Sequence, residues 1–211
     1  MIELFDKAEC PYCYRVRLCL GHLAVPYERY DHRDPAAEAR WRPLTFANTV
    51  PVLVEGDVVL TDSSTILEYL QETRGGLLPD APHERARVRE LVRYADVVIG
   101  RAIREVIFEK RDKPRAEWDR ERIDAGTEAY LDALPYLDAA LGDETYFGGT
   151  FSMADAALTA RMALGLAYGV DVPERSVPRL ARYFDARRAD GFFESASPPR
   201  VRGVSAPARP E

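Results

Sequence analysis

Two of the three cysteines stand close together near the start of the chain, in the segment Cys10-Pro11-Tyr12-Cys13. This spacing is typical of thiol redox chemistry or of one half of a metal site. Pro11 fits the first position of a helix, which makes Cys10 the predicted N-cap. Unpaired backbone N–H groups and the positive end of the helix dipole favour the nucleophilic thiolate at that position. Cys13, one turn further along, would be close enough to attack a mixed disulfide formed on Cys10.

A zinc site is the alternative for this pair, but zinc with four ligands would need a second cluster of cysteine or histidine. The remaining candidates have no paired spacing: Cys19, His22, His32 and His83. Cys19 lies on the apolar stripe of the helix predicted after Cys13, and we expect it in the core. Plain burial of both cysteines is the other alternative, and it leaves the proline after the first one unexplained. The sequence therefore predicts redox cysteines and no metal ion.

The elements around the cysteines are predicted to be a strand, a loop and a helix. Ile2 to Phe5 is a short apolar run, and apolar residues then recur at helical spacing until Val25-Pro26 ends the helix. Tyr27 to Asp31 has the pattern of a second strand, so the chain begins as a β-α-β unit. In that context the two-cysteine spacing is typical of thioredoxin-like domains.

A hairpin and a further helix are predicted to complete a first domain over residues 1–76. Apolar runs from Val50 to Val54 and from Val58 to Leu60 flank a short turn at Gly56. Asp62 and the serines after it offer N-cap residues for a helix that stops at Gly75-Gly76. Between the second strand and the hairpin, residues 34–46 are polar and broken by prolines, which predicts a short helix or an irregular connection.

The rest of the chain is predicted to be all helical. Residues 77–82 hold two prolines and no periodicity, which predicts a linker. Residues 83–194 show helical spacing without a convincing strand pattern and form a predicted second domain. Its predicted helices cover residues 83–110, 124–141, 152–168 and 177–188. Residues 195–211 are rich in proline and aperiodic, which predicts a loosely attached tail.

The charge balance of the chain argues against polyanionic partners. Its 211 residues hold 29 Lys and Arg against 35 Asp and Glu, a net charge of −6, so neither nucleic acid nor a membrane is the expected partner. The first ten residues carry four charges where a secretory signal would be apolar, and we expect a cytoplasmic protein. Residues 84–122 interleave 12 Lys or Arg with 9 Asp or Glu, which predicts an exposed helix with weak ion pairs.

Four short motifs, in the same order along residues 1 to 190, resemble the cytosolic glutathione transferase superfamily. The CPYC segment is similar to the glutaredoxin motif, and Val50-Pro51-Val52-Leu53 is similar to the cis-proline strand of thioredoxin-like proteins. Residues 62–66, DSSTI, resemble the E/Q-S-x-A-I segment, and residues 151–158, FSMADAAL, resemble the F-S-x-A-D motif of the helical domain. The resemblance is to the cysteine-type members, omega-like transferases and large two-domain glutaredoxins. It implies a thioredoxin-like α/β domain followed by an all-α domain, with glutathione as co-substrate, and more often than not a homodimer.

The resemblance also implies a glutathione site in the first domain. Val50, before a cis Pro51, would present its backbone N–H and C=O to the cysteinyl part of glutathione. At the γ-glutamyl end, Asp62 would accept from the ammonium group. Ser63 would bind the carboxylate through its N–H and hydroxyl at a helix N-terminus, and plain helix capping is compatible with that role.

Two further sets of candidates are weaker. Many relatives place a lysine for the glycyl carboxylate before the cis-proline strand, whereas this chain has Phe46-Ala47-Asn48-Thr49, so Arg40 and Arg42 are the substitutes. An apolar pocket between the domains is the second possibility, but core packing is the favoured interpretation for each of its candidate residues. Those candidates are Tyr94, Ile99, Phe108 and Trp118.

The function implied by the resemblance is a glutathione-dependent thiol transferase or disulfide reductase. Cys10 would attack a disulfide or a glutathionyl adduct of a small electrophile, and Cys13 or a second glutathione would resolve the mixed disulfide. Tyr12, between them, belongs to the expected substrate-binding set. Two alternatives stay open: glutathione conjugation to electrophiles, and a non-enzymatic interaction module like the stress proteins of this fold. A zeta-type isomerase is a third, prompted by Arg15-Val16-Arg17.

Overall fold

The strands of the first domain form one mixed sheet in the computed structural model, which describes residues 1–202. The sheet order is β2-β1-β3-β4, with β1 and β2 parallel and the other pairs antiparallel. The elements are β1 (Ile2–Asp6), α1 (Pro11–His22), β2 (Tyr27–Asp31), α2 (Pro35–Trp41), β3 (Val52–Glu55), β4 (Val58–Leu60) and α3 (Ser63–Arg74). This is the predicted thioredoxin-like α/β domain.

The remaining described residues form the predicted all-α domain. Helix α4 (Pro82–Tyr94) continues through a π turn (Ala95–Ile99) into α5 (Gly100–Asp112). The helices that follow are α6 (Arg120–Leu141), α7 (Met153–Ala167), α8 (Pro178–Arg188), α9 (Gly191–Ala196) and α10 (Pro199–Arg202). No helix within residues 1–202 is long and apolar enough to span a bilayer.

The capping residues explain where two of these helices begin. α6 starts before the predicted residue 124, because Asp119 caps it by accepting from the Arg122 N–H at 3.0 Å. α7 begins after Ser152 as predicted, and the Asp155 carboxylate accepts from the Ser152 N–H and O–H at 2.8 and 2.6 Å. Both contacts satisfy backbone or side-chain donors that would otherwise be unpaired at a helix start.

The predicted linker is free of helix and strand up to residue 81, and α4 begins at its last residue, Pro82. Its two leucines are buried, which a solvent-exposed linker would not show. The Leu77 C=O also accepts from the Met153 N–H at 3.0 Å, and its N–H donates to Gln71. The segment is therefore attached to both parts of the chain, because Leu77 and Leu78 bury apolar surface at the junction.

The prediction of a loosely attached tail from residue 195 is wrong for residues 195–202. Ser197 is 1% exposed and its Oγ lies 2.6 Å from the Tyr14 hydroxyl, and Val201 is also buried. The Ala196 C=O accepts from Arg17 Nε at 2.7 Å. The proline content suggested an irregular tail, but Pro199 starts the short helix α10, which is too brief to show a helical repeat of apolar residues. Residues 203–211 of the predicted tail lie outside the described residues.

Helix α1 holds the cysteines in place because it is enclosed by both domains. It contacts α3 of its own domain and α7 and α9 of the helical domain, and every residue from Cys13 to Leu20 is buried. At its other end Gly21 lies against α9, where an added methyl group would come within 2.9 Å of the Phe192 Cβ. The N-terminus of α1 therefore has one fixed position relative to the helical domain.

Candidate functional site

Cys10 occupies the N-cap of α1 with Pro11 at the first helical position, as the sequence predicts. Its N–H donates to the Lys7 C=O at 3.2 Å, and its own C=O accepts from the Tyr14 N–H at 2.8 Å. The side chain makes no capping hydrogen bond and is partly exposed. The backbone thus fixes the residue while the sulfur faces the first turn of the helix.

The pKa values of Cys10 and Cys13 are shifted in opposite directions. The pKa of Cys10 is lowered to about 6, chiefly because the S–H of Cys13 donates to its sulfur. The N–H groups of Cys13 and Tyr12 and the charge of Arg161 lower it further, while burial acts in the opposite direction. Burial raises the pKa of Cys13 well above its usual value, and its bond to Cys10 raises it further. Burial likewise raises the pKa of Cys19, which packs in the core as predicted. At neutral pH the structure therefore supports a thiolate at Cys10 and thiols at the other two positions.

Arg161 is a functional candidate that sequence reasoning missed. It lies in α7, is only 7% exposed, and stacks over the Tyr12 ring at 4.7 Å from the centroid. Its Nη2 donates to Asp96 Oδ1 at 3.0 Å, and Asp96 Oδ2 accepts from Arg15 Nη1 at 3.0 Å. A signal was present in the sequence, because this is the one basic residue in the largely apolar stretch MADAALTARMALGLA.

A cavity of about 800 Å³ opens between the two domains in front of Cys10. Six of the seven residues that the sequence predicts for the site line it: Cys10, Tyr12, Val50, Pro51, Asp62 and Ser63. The seventh, Cys13, is fully buried behind Cys10. The Val50–Pro51 peptide bond is cis, as the resemblance implies.

Asp62 and Ser63 lie where α3 begins. Asp62 is the N-cap, since its Oδ1 accepts from the N–H and O–H of Thr65 at 2.8 and 3.0 Å. Ser63 is therefore the first helical residue rather than the cap. Its Oγ accepts from Arg15 Nε and Nη2 at 3.2 and 2.5 Å. Arg15 thus brings a guanidinium to this helix N-terminus, where backbone N–H groups already favour an anion.

Other sequence candidates lie elsewhere. Arg40 Nη2 donates to both carboxylate oxygens of Glu3 at 2.6 and 2.7 Å, and Arg42 pairs with Glu38. Neither arginine lines the cavity. Of the four candidates for an apolar pocket, only Phe108 lines it, because the others pack in or against the core: Tyr94, Ile99 and Trp118. Within residues 1–202 there is no cluster of His, Cys, Asp or Glu that could hold a metal ion.

Comparison with known proteins identifies the group to which this arrangement belongs. Residues 4–77 match the family model described as glutathione S-transferase, N-terminal domain. A probable glutathione S-transferase of Glycine max is 31% identical over 162 residues, covering 74% of this chain and 68% of that protein. Glutathione S-transferase U8 of Arabidopsis thaliana is 29% identical over 97% of this chain and 92% of its own length.

Solved structures agree. A glutathione S-transferase from Rhodospirillum rubrum is 26% identical, with a TM-score of 0.82 over 100% of this chain and 96% of that one. A theta class enzyme from Xanthomonas axonopodis pv. citri, solved with glutathione bound, shares the fold at 24% identity and a TM-score of 0.81 over 92% of this chain and 96% of that one. These matches confirm the superfamily part of the resemblance. None of these four relatives is named as a cysteine-type transferase or glutaredoxin, so the cysteine-type part stays a prediction. The chain belongs to the glutathione S-transferase family.

Proposed function

We propose that this family member is a glutathione-dependent thiol transferase in which Cys10 is the nucleophile. The observation that carries the proposal is a cysteine with a pKa of about 6 at the N-cap of α1, facing the cavity between the domains. A serine or tyrosine in this role would stabilise the glutathione thiolate by donating a hydroxyl hydrogen bond. A protein thiolate has no proton to donate, and is suited to attack sulfur instead.

Glutathione is proposed to lie across the first domain. The N–H and hydroxyl of Ser63 and the α3 N-terminus would bind its γ-glutamyl carboxylate, with the adjacent Arg15 guanidinium adding positive charge. Asp62 uses Oδ1 for Thr65, so Oδ2 is the oxygen proposed for the ammonium group. Val50 would pair its backbone with the cysteinyl residue, which places the thiol towards Cys10.

The proposed reaction is a two-step thiol–disulfide exchange. The Cys10 thiolate attacks the glutathionyl sulfur of a mixed disulfide, the Cys10–glutathione bond forms, and the partner thiolate leaves and takes a proton from water. A second glutathione, as thiolate, then attacks the glutathionyl sulfur, which releases glutathione disulfide and restores the Cys10 thiolate. Cys13 has a raised pKa and is buried, so free glutathione is the proposed resolving thiol for small substrates.

Conjugation of glutathione to electrophiles is the second candidate, favoured by the names of the relatives, which are glutathione S-transferases. A paired assay separates the two: reduction of the mixed disulfide of glutathione with 2-mercaptoethanol, and conjugation of 1-chloro-2,4-dinitrobenzene. Cys10→Ser is expected to lower kcat/KM for thiol transfer at least about a hundredfold, because a serine hydroxyl is not ionised at neutral pH. Cys19→Ala, which removes a core thiol away from the cavity, is the control and should retain the activity. Thiol transfer that survives Cys10→Ser, or conjugation gained without loss elsewhere, would overturn the cysteine-type mechanism and leave a hydroxyl-type transferase or a binding role in its place.

A further inference from the structure

The helical wall of the cavity, opposite the proposed glutathione site, carries a row of arginines. Arg93, Arg101, Arg104 and Arg111 line the cavity along α4 and α5, and are called here the cationic stripe. With Val97 and Phe108, which also line it, they follow one another at spacings of three and four, so they share one helix face. Of the ten residues of this run that line the cavity, these four are arginines and are permanently charged.

Three acidic residues of the same helices pair outside the cavity, while Asp112 pairs with Arg111 of the stripe. Glu105 and Glu109 both pair with Arg122 of α6, and Glu90 pairs with Arg87. The interleaved charges that predicted an exposed helix with weak ion pairs are thus partly sorted by the fold, with a mainly basic face on the cavity and Glu90, Glu105 and Glu109 outside it. A linear charge count cannot show this sorting, because it follows from which helix face meets the cavity.

The carboxylates that line the cavity already have partners. Glu9 accepts from Arg200 and from the Tyr168 hydroxyl, and Asp96 accepts from both Arg15 and Arg161. The third, Asp62, caps α3. The cavity lining holds seven Lys or Arg and these three carboxylates, so it is positive inside a chain whose net charge is −6. A concave positive site of this kind concentrates anionic ligands.

Three arginines of the stripe have no carboxylate of the described residues within salt-bridge distance: Arg93, Arg101 and Arg104. Arg104 and Arg111 stack on the Phe108 ring, 4.9 and 4.6 Å from its centroid. Stacking restrains both planar guanidinium groups. Arg111 also donates Nε and Nη2 to Asp112 at 2.6 and 2.8 Å, whereas the N–H donors of Arg104 stay available, which suits bidentate binding of a planar anion. An apolar co-substrate would leave these charges without a partner when it excluded water from the wall.

We propose that the cationic stripe binds a carboxylate or sulfonate on the second substrate, so that anionic disulfides and electrophiles are preferred. The proposal rests on the proposed function for its reaction, in which Cys10 takes the glutathionyl group and the anionic thiol leaves. The leaving group would then lie on the α5 side of the cavity, against Arg101 and Arg104. This specificity differs from the apolar pocket that the sequence analysis weighed against core packing.

Two thioethers test the binding without any reaction: S-(2-sulfoethyl)glutathione and its neutral counterpart S-(2-hydroxyethyl)glutathione, titrated by calorimetry into the full chain. We expect the sulfonate to bind at least about tenfold more tightly, with a preference that shrinks as salt screens the charges. The variant Arg101→Gln/Arg104→Gln should bring the ratio of the two dissociation constants close to one. Arg87→Gln, on α4 but outside the cavity, removes the same kind of charge and should leave the ratio unchanged.

The same pair of leaving groups tests the preference in turnover, as the mixed disulfides of glutathione with 2-mercaptoethanesulfonate and with 2-mercaptoethanol. Equal dissociation constants for the two thioethers in the wild-type chain would overturn the anionic preference and leave the thiol-transfer proposal standing. A double variant that weakened both thioethers equally would assign the stripe to glutathione itself and also overturn it. Selective binding of the sulfonate with no turnover of either disulfide would support the stripe and overturn the proposed reaction.

Discussion

The two cysteines of the CPYC segment differ in protonation at neutral pH, with a thiolate at Cys10 and a thiol at Cys13. Cys13 is buried and keeps its hydrogen, and that hydrogen stabilises the negative charge on Cys10. A buried thiol is a weak nucleophile because desolvation opposes its ionisation. In this structure the contribution of Cys13 is therefore to lower the pKa of its neighbour, in addition to any exchange with a mixed disulfide.

The pH dependence of alkylation separates these roles. The rate of Cys10 labelling by iodoacetamide, followed by mass mapping of its peptide, should rise through pH about 6 and level off at neutral pH. Cys13→Ala removes the S–H donor, so the thiolate loses its largest stabilisation and the midpoint should move to higher pH. Cys13→Ser retains a donor and should move it less. An unchanged midpoint in Cys13→Ala would show that the Cys13 hydrogen bond does not set the acidity of Cys10.

At the scale of elements, one carboxylate organises the start of α7. Asp155 is fully buried and accepts from the Phe147 N–H, the Ser152 N–H and O–H, and the Tyr183 hydroxyl. It thereby joins the loop before α7, the helix itself and α8. Since α7 carries Arg161 and contacts α1, this junction also positions the side chain that faces Cys10.

Removal of that carboxylate should be costly. Asp155→Ala leaves several buried donors without an acceptor and is expected to lower the free energy of unfolding by about 3 kcal/mol or more. Asp143→Ala is the control, because Asp143 pairs with Arg179 at the surface with its side chain 91% exposed, and should cost less than about 1 kcal/mol. Urea unfolding followed by circular dichroism measures both. Similar losses for the two variants would mean that the buried hydrogen bonds add little.

Much of this element structure could be predicted because its signals are local. Pro11 after Cys10, the turn at Gly56 and the Ser152 cap each indicate an element boundary within a few residues. Six of the predicted site residues could be found for the same reason, since each belongs to a short motif and lines the cavity. Arg161 and the cationic stripe could not be placed in this way, because their role depends on which helix face meets the cavity, and that is decided by packing between distant segments.

At the scale of the whole molecule, the last described segment closes over α1. Ser197 contacts Tyr14, the Ala196 C=O accepts from Arg17, and Arg200 pairs with Glu9, next to the catalytic candidate. Proline content and missing periodicity gave no indication of this docking, because a few hydrogen bonds and a small apolar contact suffice to order so short a segment. The N-terminus of α1 is thus held from both ends of the sequence.

The contact between α1 and α9 can be tested with two glycines. Gly21→Ala would place a methyl group 2.9 Å from the Phe192 Cβ, and is expected to cost about 1–3 kcal/mol of unfolding free energy through overpacking. Gly191→Ala meets no atom within 4 Å and should be neutral or stabilising by about 0.4–1 kcal/mol. Thermal unfolding of the two variants measures the difference. If Gly21→Ala were as stable as the wild type, α9 would not pack on α1 as described.

The π turn at residues 95–99 has a consequence for insertions and deletions. A π turn takes one residue more than an α turn, so the run from Pro82 to Asp112 contains one residue that a regular helix of the same extent would lack. Deleting one residue inside the turn would restore a regular helix with both flanks in register. A deletion anywhere else in the run would rotate all that follows by about 100°. A relative one residue shorter at this turn would therefore keep its stripe facing Cys10, and would lose the position from which Asp96 joins Arg15 to Arg161.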